Sequence, residues 1–209
     1  MKENAIRTAK LFKKLQTDLS VYKLCLVLLK RNIKPMSARQ RILDSTFSLF
    51  HQQGYHSTGI NQIIAASKVA KASFYQHFKS KEDLCVAFLN DRHTYWFGKL
   101  HAFTSAAQTR KEKITLSFEF LIAMNEAESY RGCSFLNILS EIPKDNIKIM
   151  AVIRDHKNDL RAYFQDMLHE KSLADHVYLL FESAIIESQL FSNQWPVNEA
   201  ISIVNNLLD

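Results

Sequence analysis

A chain of 209 residues, 47% hydrophobic and 23% charged, can bury a real core as one domain or as a small domain joined to a larger one. Its three cysteines, Cys25, Cys85 and Cys133, are too few and too scattered for a disulfide framework, so a reducing, cytoplasmic compartment is expected. No apolar run approaches spanning length, Leu24–Leu29 is short and internal, and alternating strand patterns and Asn-Gly or Asp-Gly turns are absent. An all-α chain without secretory signal or stable membrane association follows.

The net charge of +6 is unevenly spread. Residues 1–36 carry nine basic against two acidic side chains, residues 37–85 six against three, and the remainder sixteen acidic against twelve basic. A cationic front and a mildly acidic rear suit a nucleic-acid-facing part joined to a part with another task.

Residues 1–35 form a basic extension, with Ile6, Leu11, Leu15, Leu19 and Tyr22 as apolar positions of an extra amphipathic helix. Three readings stay open: an arm on the DNA backbone, a membrane-surface helix, or translated sequence without a selected role, Met36 being the functional start. Ser37-Ala-Arg-Gln40 reads as a capping box opening a helix whose apolar face holds Ile42, Leu43, Thr46, Phe47, Leu49 and Phe50, with Gly54 as its stop.

Two short helices follow. Ile60, Ile63 and Ile64 take the i, i+3, i+4 spacing of one buried face, and Phe74 and Phe78 repeat it after a turn. Lys71, Ala72, Tyr75 and Gln76 face away from that shared core, with Ser73 at the edge. This short, polar, weakly cationic face suits a helix laid into the DNA major groove. Thr58 reads as the N-cap of the first short helix, its hydroxyl and the amides behind it able to hold a phosphate. Lys71 can reach a guanine or a phosphate, Tyr75 a phosphate, and Gln76 an adenine or a phosphate. His77 stands between core and contact, and Lys79 and Lys81 complete the footprint.

Lys71-Ala-Ser-Phe-Tyr-Gln-His-Phe-Lys-Ser-Lys-Glu-Asp-Leu84, with Gly54-Tyr55 and Thr58 upstream, resembles the helix-turn-helix of the TetR family. The motif covers about Ser37 to Leu89. The resemblance implies an N-terminal three-helix DNA-binding domain at 36–84, then a helical ligand-binding and dimerisation bundle at 85–209. It also implies repression, and base or backbone contact at Thr58, Lys71, Ala72, Ser73, Tyr75, Gln76, His77, Lys79 and Lys81. Lys68 stands where the family often has glycine in the turn, and a left-handed backbone there would cost about 1 kcal/mol. Ala72 likewise replaces a common glycine.

Ser80-Lys-Glu-Asp83 is a second capping box, opening a helix through roughly Phe103. Thr109 to Glu112 caps a run to Glu128, a short element spans Cys133 to Ser140, and Pro143 stands near the first turn of a run to Leu168. Ser172 to Asp175 caps a strongly apolar helix near 173–192, and Pro196 leads the last. The 173–192 helix is apolar over too wide an arc for one neighbour. Leu180, Phe181, Ala184, Ile185 and Ser188 are therefore expected at a homodimer face, intramolecular core being the alternative.

An effector cavity within the rear bundle follows from the resemblance, with Trp96, Phe120, Met124 and Tyr178 as candidate lining and Glu119 and Asn137 as polar contacts; core packing is the competing reading for each. Cys133 is either a redox or electrophile sensor or a small buried hydrophobe. The eight histidines show no metal-ligand spacing, and no nucleophile motif or phosphate-cradling loop is present. Neither metal, cofactor nor enzymatic activity is expected. The expected function is a ligand-responsive, DNA-binding repressor acting as a homodimer on a palindromic operator. A constitutive DNA-binding module without effector, and an interaction protein led by the basic N-terminal helix, are the rivals.

Overall fold

The computed structural model describes residues 36–208; the extra helix expected within residues 1–35 lies outside them. The described residues contain nine α-helices, one short 3-10 turn and no strand.

Helix α1 (Ala38–Gln53) begins directly after Ser37 and buries Ile42, Leu43, Thr46 and Phe50. Gly54, at φ +87°, ends it, as the left-handed position after a helix favours. Helices α2 (Ile60–Ser67) and α3 (Lys71–His77) are joined by a tight turn in which Lys68 takes φ 53°, ψ 42°. The turn therefore does require the left-handed backbone that glycine would adopt without strain.

Helix α4 (Lys81–Phe103) is 23 residues long, about 35 Å at 1.5 Å per residue. Its cap is the expected one: Ser80 Oγ accepts from Asp83 N at 3.0 Å. A 3-10 turn, Thr104–Ala106, leads to α5 (Arg110–Ala127), capped by Thr109 Oγ1 accepting from Glu112 N at 3.1 Å. Then come α6 (Ser134–Glu141), α7 (Ile147–Met167), α8 (Lys171–Phe191) and α9 (Trp195–Leu207), with Pro196 in the first turn of the last.

Two helix starts differ from expectation. The cap of α7 is Asn146, whose Oδ1 accepts from Ile149 N, while Pro143 lies in the preceding turn, its carbonyl accepting from Asn146 N. Asn supplies the acceptor that a proline start lacks. Helix α8 begins one residue before Ser172, with Glu170 at the N-cap and no side-chain cap bond. Asp175 is drawn instead to Arg161 and Lys171, at 2.9 and 2.8 Å.

Apolar packing forms two clusters. In the first, Ile42, Phe50, Ile63 and Phe74 of the front helices pack with Leu84 and Phe88 of α4, and also with Phe135, Ile138, Ile149 and Ile153 of α6 and α7. Packing is thus continuous across the boundary expected between residues 84 and 85. The second cluster gathers Leu100, Phe118, Leu160, Phe164, Val177, Phe181, Val197 and Val204 from α4, α5 and α7 to α9. Helix α4 serves both, its near half in one core and its far half in the other.

Candidate nucleic-acid interface and rear cavity

Phe74 and Phe78, 0% and 4% exposed, fix how α3 rolls against α1 and α2. The opposite side of α3 is then set: Lys71, Ala72, Tyr75, Gln76 and His77 are exposed and Ser73 is half-buried. His77, ambiguous by spacing, belongs to the outer face. Lys79 Nζ donates to Tyr75 O at 3.1 Å, tying the end of this face together. Lys81 is half-buried; its ammonium lies 4.4 Å from the Tyr55 ring centroid and donates to His56 O at 3.2 Å. Burial lowers the Lys81 pKa and pushes the Tyr55 hydroxyl up to about 12.

The N-cap expected at Thr58 is corrected. Gly59 holds that position, and Thr58 is fully buried, its hydroxyl donating to Gly54 O at 2.6 Å and accepting from Gln53 Nε2 at 3.2 Å. Thr58 therefore locks the 54–58 turn, and Gly59 presents the start of α2 to solvent. A Cβ at Gly59 would meet no protein atom within 4 Å, and its φ of −86° suits any residue. Nothing inside the protein requires glycine there. Gly59 is exposed beside this face without having been singled out, and Lys68, noted only for its place in the turn, is exposed as well; the Thr-Gly pair before an apolar run was the available signal for Gly59.

In the rear, Trp96 and Met124 line a cavity of about 40 Å³. Phe120 and Tyr178 do not. Phe120 turns onto Trp96 and Phe103, at centroid distances of 5.3 and 5.8 Å, and half-buried Tyr178 packs at the edge of the rear core. Glu119 is exposed, and Asn137 donates to Arg131 O at 2.9 Å.

The polar lining comes from residues outside the expected set. Arg92, 5% exposed, pairs with Glu128 at 2.5 Å, and its guanidinium sits 5.5 and 5.4 Å from the Phe47 and Tyr95 ring centroids. Lys157 Nζ meets both Glu182 oxygens at 2.7 and 2.6 Å and lies 3.5 Å from Cys133 Sγ. His156, 4% exposed, stacks on Phe135 at 3.6 Å and shares a 3.1 Å Nδ1–Nδ1 contact with His93. Burial above all, with Lys157, His93 and Arg92 nearby, drives its pKa down to about 2, so the ring is neutral. A sequence signal existed: Arg92 interrupts the stripe Phe88, Trp96, Leu100, and His156 the stripe Ile149, Ile153, Leu160.

Most of the residues expected at a dimer face lie inside the subunit instead. Phe181, Ala184, Ile185 and Ser188 are buried within the subunit, and Leu180 is half-buried. The exposed apolar residues of α8 are Leu179, Ile186, Leu190 and Phe191, beside Trp195, Ile203 and Leu207 of α9. The small residues that promised close approach are consumed by α9, α7 and α5, which pack against α8.

A short two-helix turn presenting a polar cationic face, on an otherwise all-helical body, defines a helix-turn-helix DNA-binding transcriptional regulator. Residues 42–88 match the family model described as bacterial regulatory proteins, tetR family. The chain is 25% identical over 148 residues, 69% of its own length and 70% of the relative's, to an uncharacterized HTH-type transcriptional regulator in the lacX 3′ region of Lactococcus lactis subsp. lactis. It is 25% identical over 138 residues, 66% of each chain, to the HTH-type transcriptional repressor KstR2 of Mycolicibacterium smegmatis. Its fold is similar to the crystal structure of SCO4454, a TetR-family transcriptional regulator from Streptomyces coelicolor, with TM-score 0.76, 22% identity, and 82% and 94% of the two chains covered. Residues 42–88 are thus a helix-turn-helix of the TetR family, and the chain as a whole shares the fold of TetR-family regulators.

Among the described residues no helix is long and apolar enough to cross a membrane, and no group of three His, Cys, Asp or Glu side chains could hold a metal ion.

Proposed function

We propose that the protein is a ligand-responsive repressor, cytoplasmic, that binds a palindromic operator as a homodimer. The outer face of α3 carries this reading: Lys71, Tyr75, Gln76 and His77 stand exposed on a helix whose roll is fixed by a fully buried Phe74. Lys71 is the first residue of α3, and the N-terminal residues of recognition helices are those that reach base edges, which supports this reading. Lys79, Lys81 and Lys68 supply nearby cations for phosphates, and open Gly59 lets a DNA backbone approach α2 closely.

Dimerisation would bring two such helices to successive half-sites. The apolar strip of Leu179, Ile186 and Leu190, continued by Trp195 and Ile203, is the surface for it, and an isologous four-helix packing of α8 and α9 would cover both copies of the strip. An effector in the rear cavity would act by binding two dimer conformations with different affinity.

A constitutive DNA-binding module is the second reading, and one observation favours it. The cavity of about 40 Å³ is far smaller than the roughly 300–1,000 Å³ of drug-sized ligand sites.

Fluorescence anisotropy on DNA from upstream of the protein's own gene, against scrambled DNA at two salt concentrations, tests the reading. Selective binding is expected, with a steep salt dependence. Lys71→Ala with Tyr75→Phe should abolish selectivity, and loss of one phosphate contact lowers the salt slope by about 0.9. Binding that is weak and equal on both DNAs, and unchanged in the variant, would remove α3 from the interface.

A further inference from the structure

We propose that Cys133 is a sensing thiol that captures small conjugated carbonyl electrophiles, enals and enones, in the rear cavity. The proposal deepens the regulator reading by naming the class of effector, and depends on that reading only for its effect on DNA.

Three observations converge on the sulfur. Cys133 occupies the N-cap of the eight-residue helix α6, where the free amides of the first turn favour negative charge. Lys157 Nζ stands 3.5 Å from Sγ, held in place by Glu182. A helix start and a neighbouring ammonium are two of the surroundings that stabilise a thiolate, the nucleophilic form. Cys133 also lines the cavity, whereas Cys85 is sealed in the front core, where burial pushes its thiol up to about 12.

The cavity itself points to the ligand. About 40 Å³ holds roughly three water molecules, so a compact reactive molecule fits where a drug-sized one does not. Arg92 lines the same space, is 5% exposed, and its Nη1 has no protein acceptor. The charge itself is paired with Glu128 through Nη2, but a buried N–H left without an acceptor is costly, and a carbonyl oxygen satisfies it. An enone brings both complements: an acceptor for Arg92 and an electrophilic carbon for Cys133.

In the addition, the thiolate sulfur bonds to the β-carbon. The C=C pair shifts to give an enolate, whose oxygen Arg92 can hold, and the α-carbon takes a proton from water. The proton released when the thiol ionised balances it, and neither oxidant nor leaving group is needed.

The adduct would be felt at the front. Cys133 ends a loop in which Ser129, Tyr130 and Gly132 all have positive φ, and a Cβ on Gly132 would collide with Gln189. In that loop Arg131 Nε donates to His51 O of α1 at 2.6 Å, and Asn137 Nδ2 holds Arg131 O. With no slack around Gly132, added atoms on Cys133 displace the loop and loosen the Arg131 tie to α1.

The full-length protein is exposed to methyl vinyl ketone for timed intervals, and each cysteine's occupancy is read by peptide mass mapping. Cys133 should label at least about tenfold faster than Cys85, Lys157→Gln should slow it about tenfold, and Lys157→Arg should keep the rate. Equal labelling of the two cysteines, or a rate indifferent to Lys157→Gln, overturns the proposal; Lys157→Arg shows whether the charge or the fold is at issue. Oxidation of Cys133 by hydrogen peroxide with no ketone adduct overturns the assigned class. On DNA that the unmodified protein binds selectively, the ketone should weaken wild type but not Cys133→Ser. An adduct with undiminished binding overturns the coupling, whereas absence of selective binding before treatment strikes the regulator reading and leaves the thiol chemistry standing.

Discussion

Gly54 shows how much one residue can decide in this chain. Its φ of +87° is a left-handed position, and an added Cβ would lie 2.6 Å from a Glu141 oxygen. That same carboxylate accepts from His56 N at 2.5 Å, so it cannot yield without freeing the turn before α2. Gly54→Ala should therefore destabilise the protein by about 1–3 kcal/mol in urea denaturation; an unchanged midpoint would mean that Glu141 gives way freely. His156 carries a pH dependence of known sign. Its folded pKa, about 2, lies below the ordinary value of 6.5. Below pH 6.5 the unfolded chain takes up a proton that the folded chain refuses. Stability from this group is complete above pH 6.5 and falls as pH falls toward 2. Between pH 7 and 5 wild type should lose about 2 kcal/mol more than His156→Phe. Parallel pH curves for the two proteins would show that His156 is not the group responsible.

The helices separate into those started by their own sequence and those started by their neighbours. Ser80 and Thr109 each accept an amide of their first turn, from Asp83 and Glu112. Ser80→Ala and Thr109→Ala should each cost about 1 kcal/mol. Ser172 has the same local pattern but lies inside α8, exposed, behind a Glu170 start. Ser172→Ala should change stability by less than about 0.5 kcal/mol. Melting temperatures of the three variants make the comparison, and an equal loss in all three would restore the cap to Ser172. Asp175, the acidic partner of the Ser172 pattern, is instead held by Arg161, fourteen residues upstream on α7, a partner that only the helix pairing supplies.

At the scale of the molecule, α4 joins the front and rear cores, and the α5–α6 loop touches both the cavity and α1. The outer strip of α8 and α9 holds seven of the thirteen exposed large apolar side chains among the described residues. An aspartate at position 186 lands on that strip, whereas one at 184, 3% exposed, lands in the subunit's own core. Ile186→Asp should give a folded monomer by light scattering with retained helicity, and Ala184→Asp should unfold, a buried unpaired carboxylate being among the most damaging changes. A dimer that survives Ile186→Asp would place the interface elsewhere.

The sequence by itself determined the helices, most of their ends and the outward face of the recognition helix. Those rest on short-range physics: the i, i+3, i+4 spacing of Ile60, Ile63, Phe74 and Phe78, a cap three residues from its amide, and a glycine after the last turn. Tertiary structure decided which polar groups meet. Arg92 and Glu128 are 36 residues apart, Lys157 and Cys133 24, and His93 and His156 63. It also decided that Thr58 turns inward and that α8 spends its small residues on its own subunit. A helix's periodicity reveals that it has an apolar face, but an arc as wide as that of α8 leaves open which part meets a neighbour. That choice is made by contacts between distant segments, whose spacing no local pattern records.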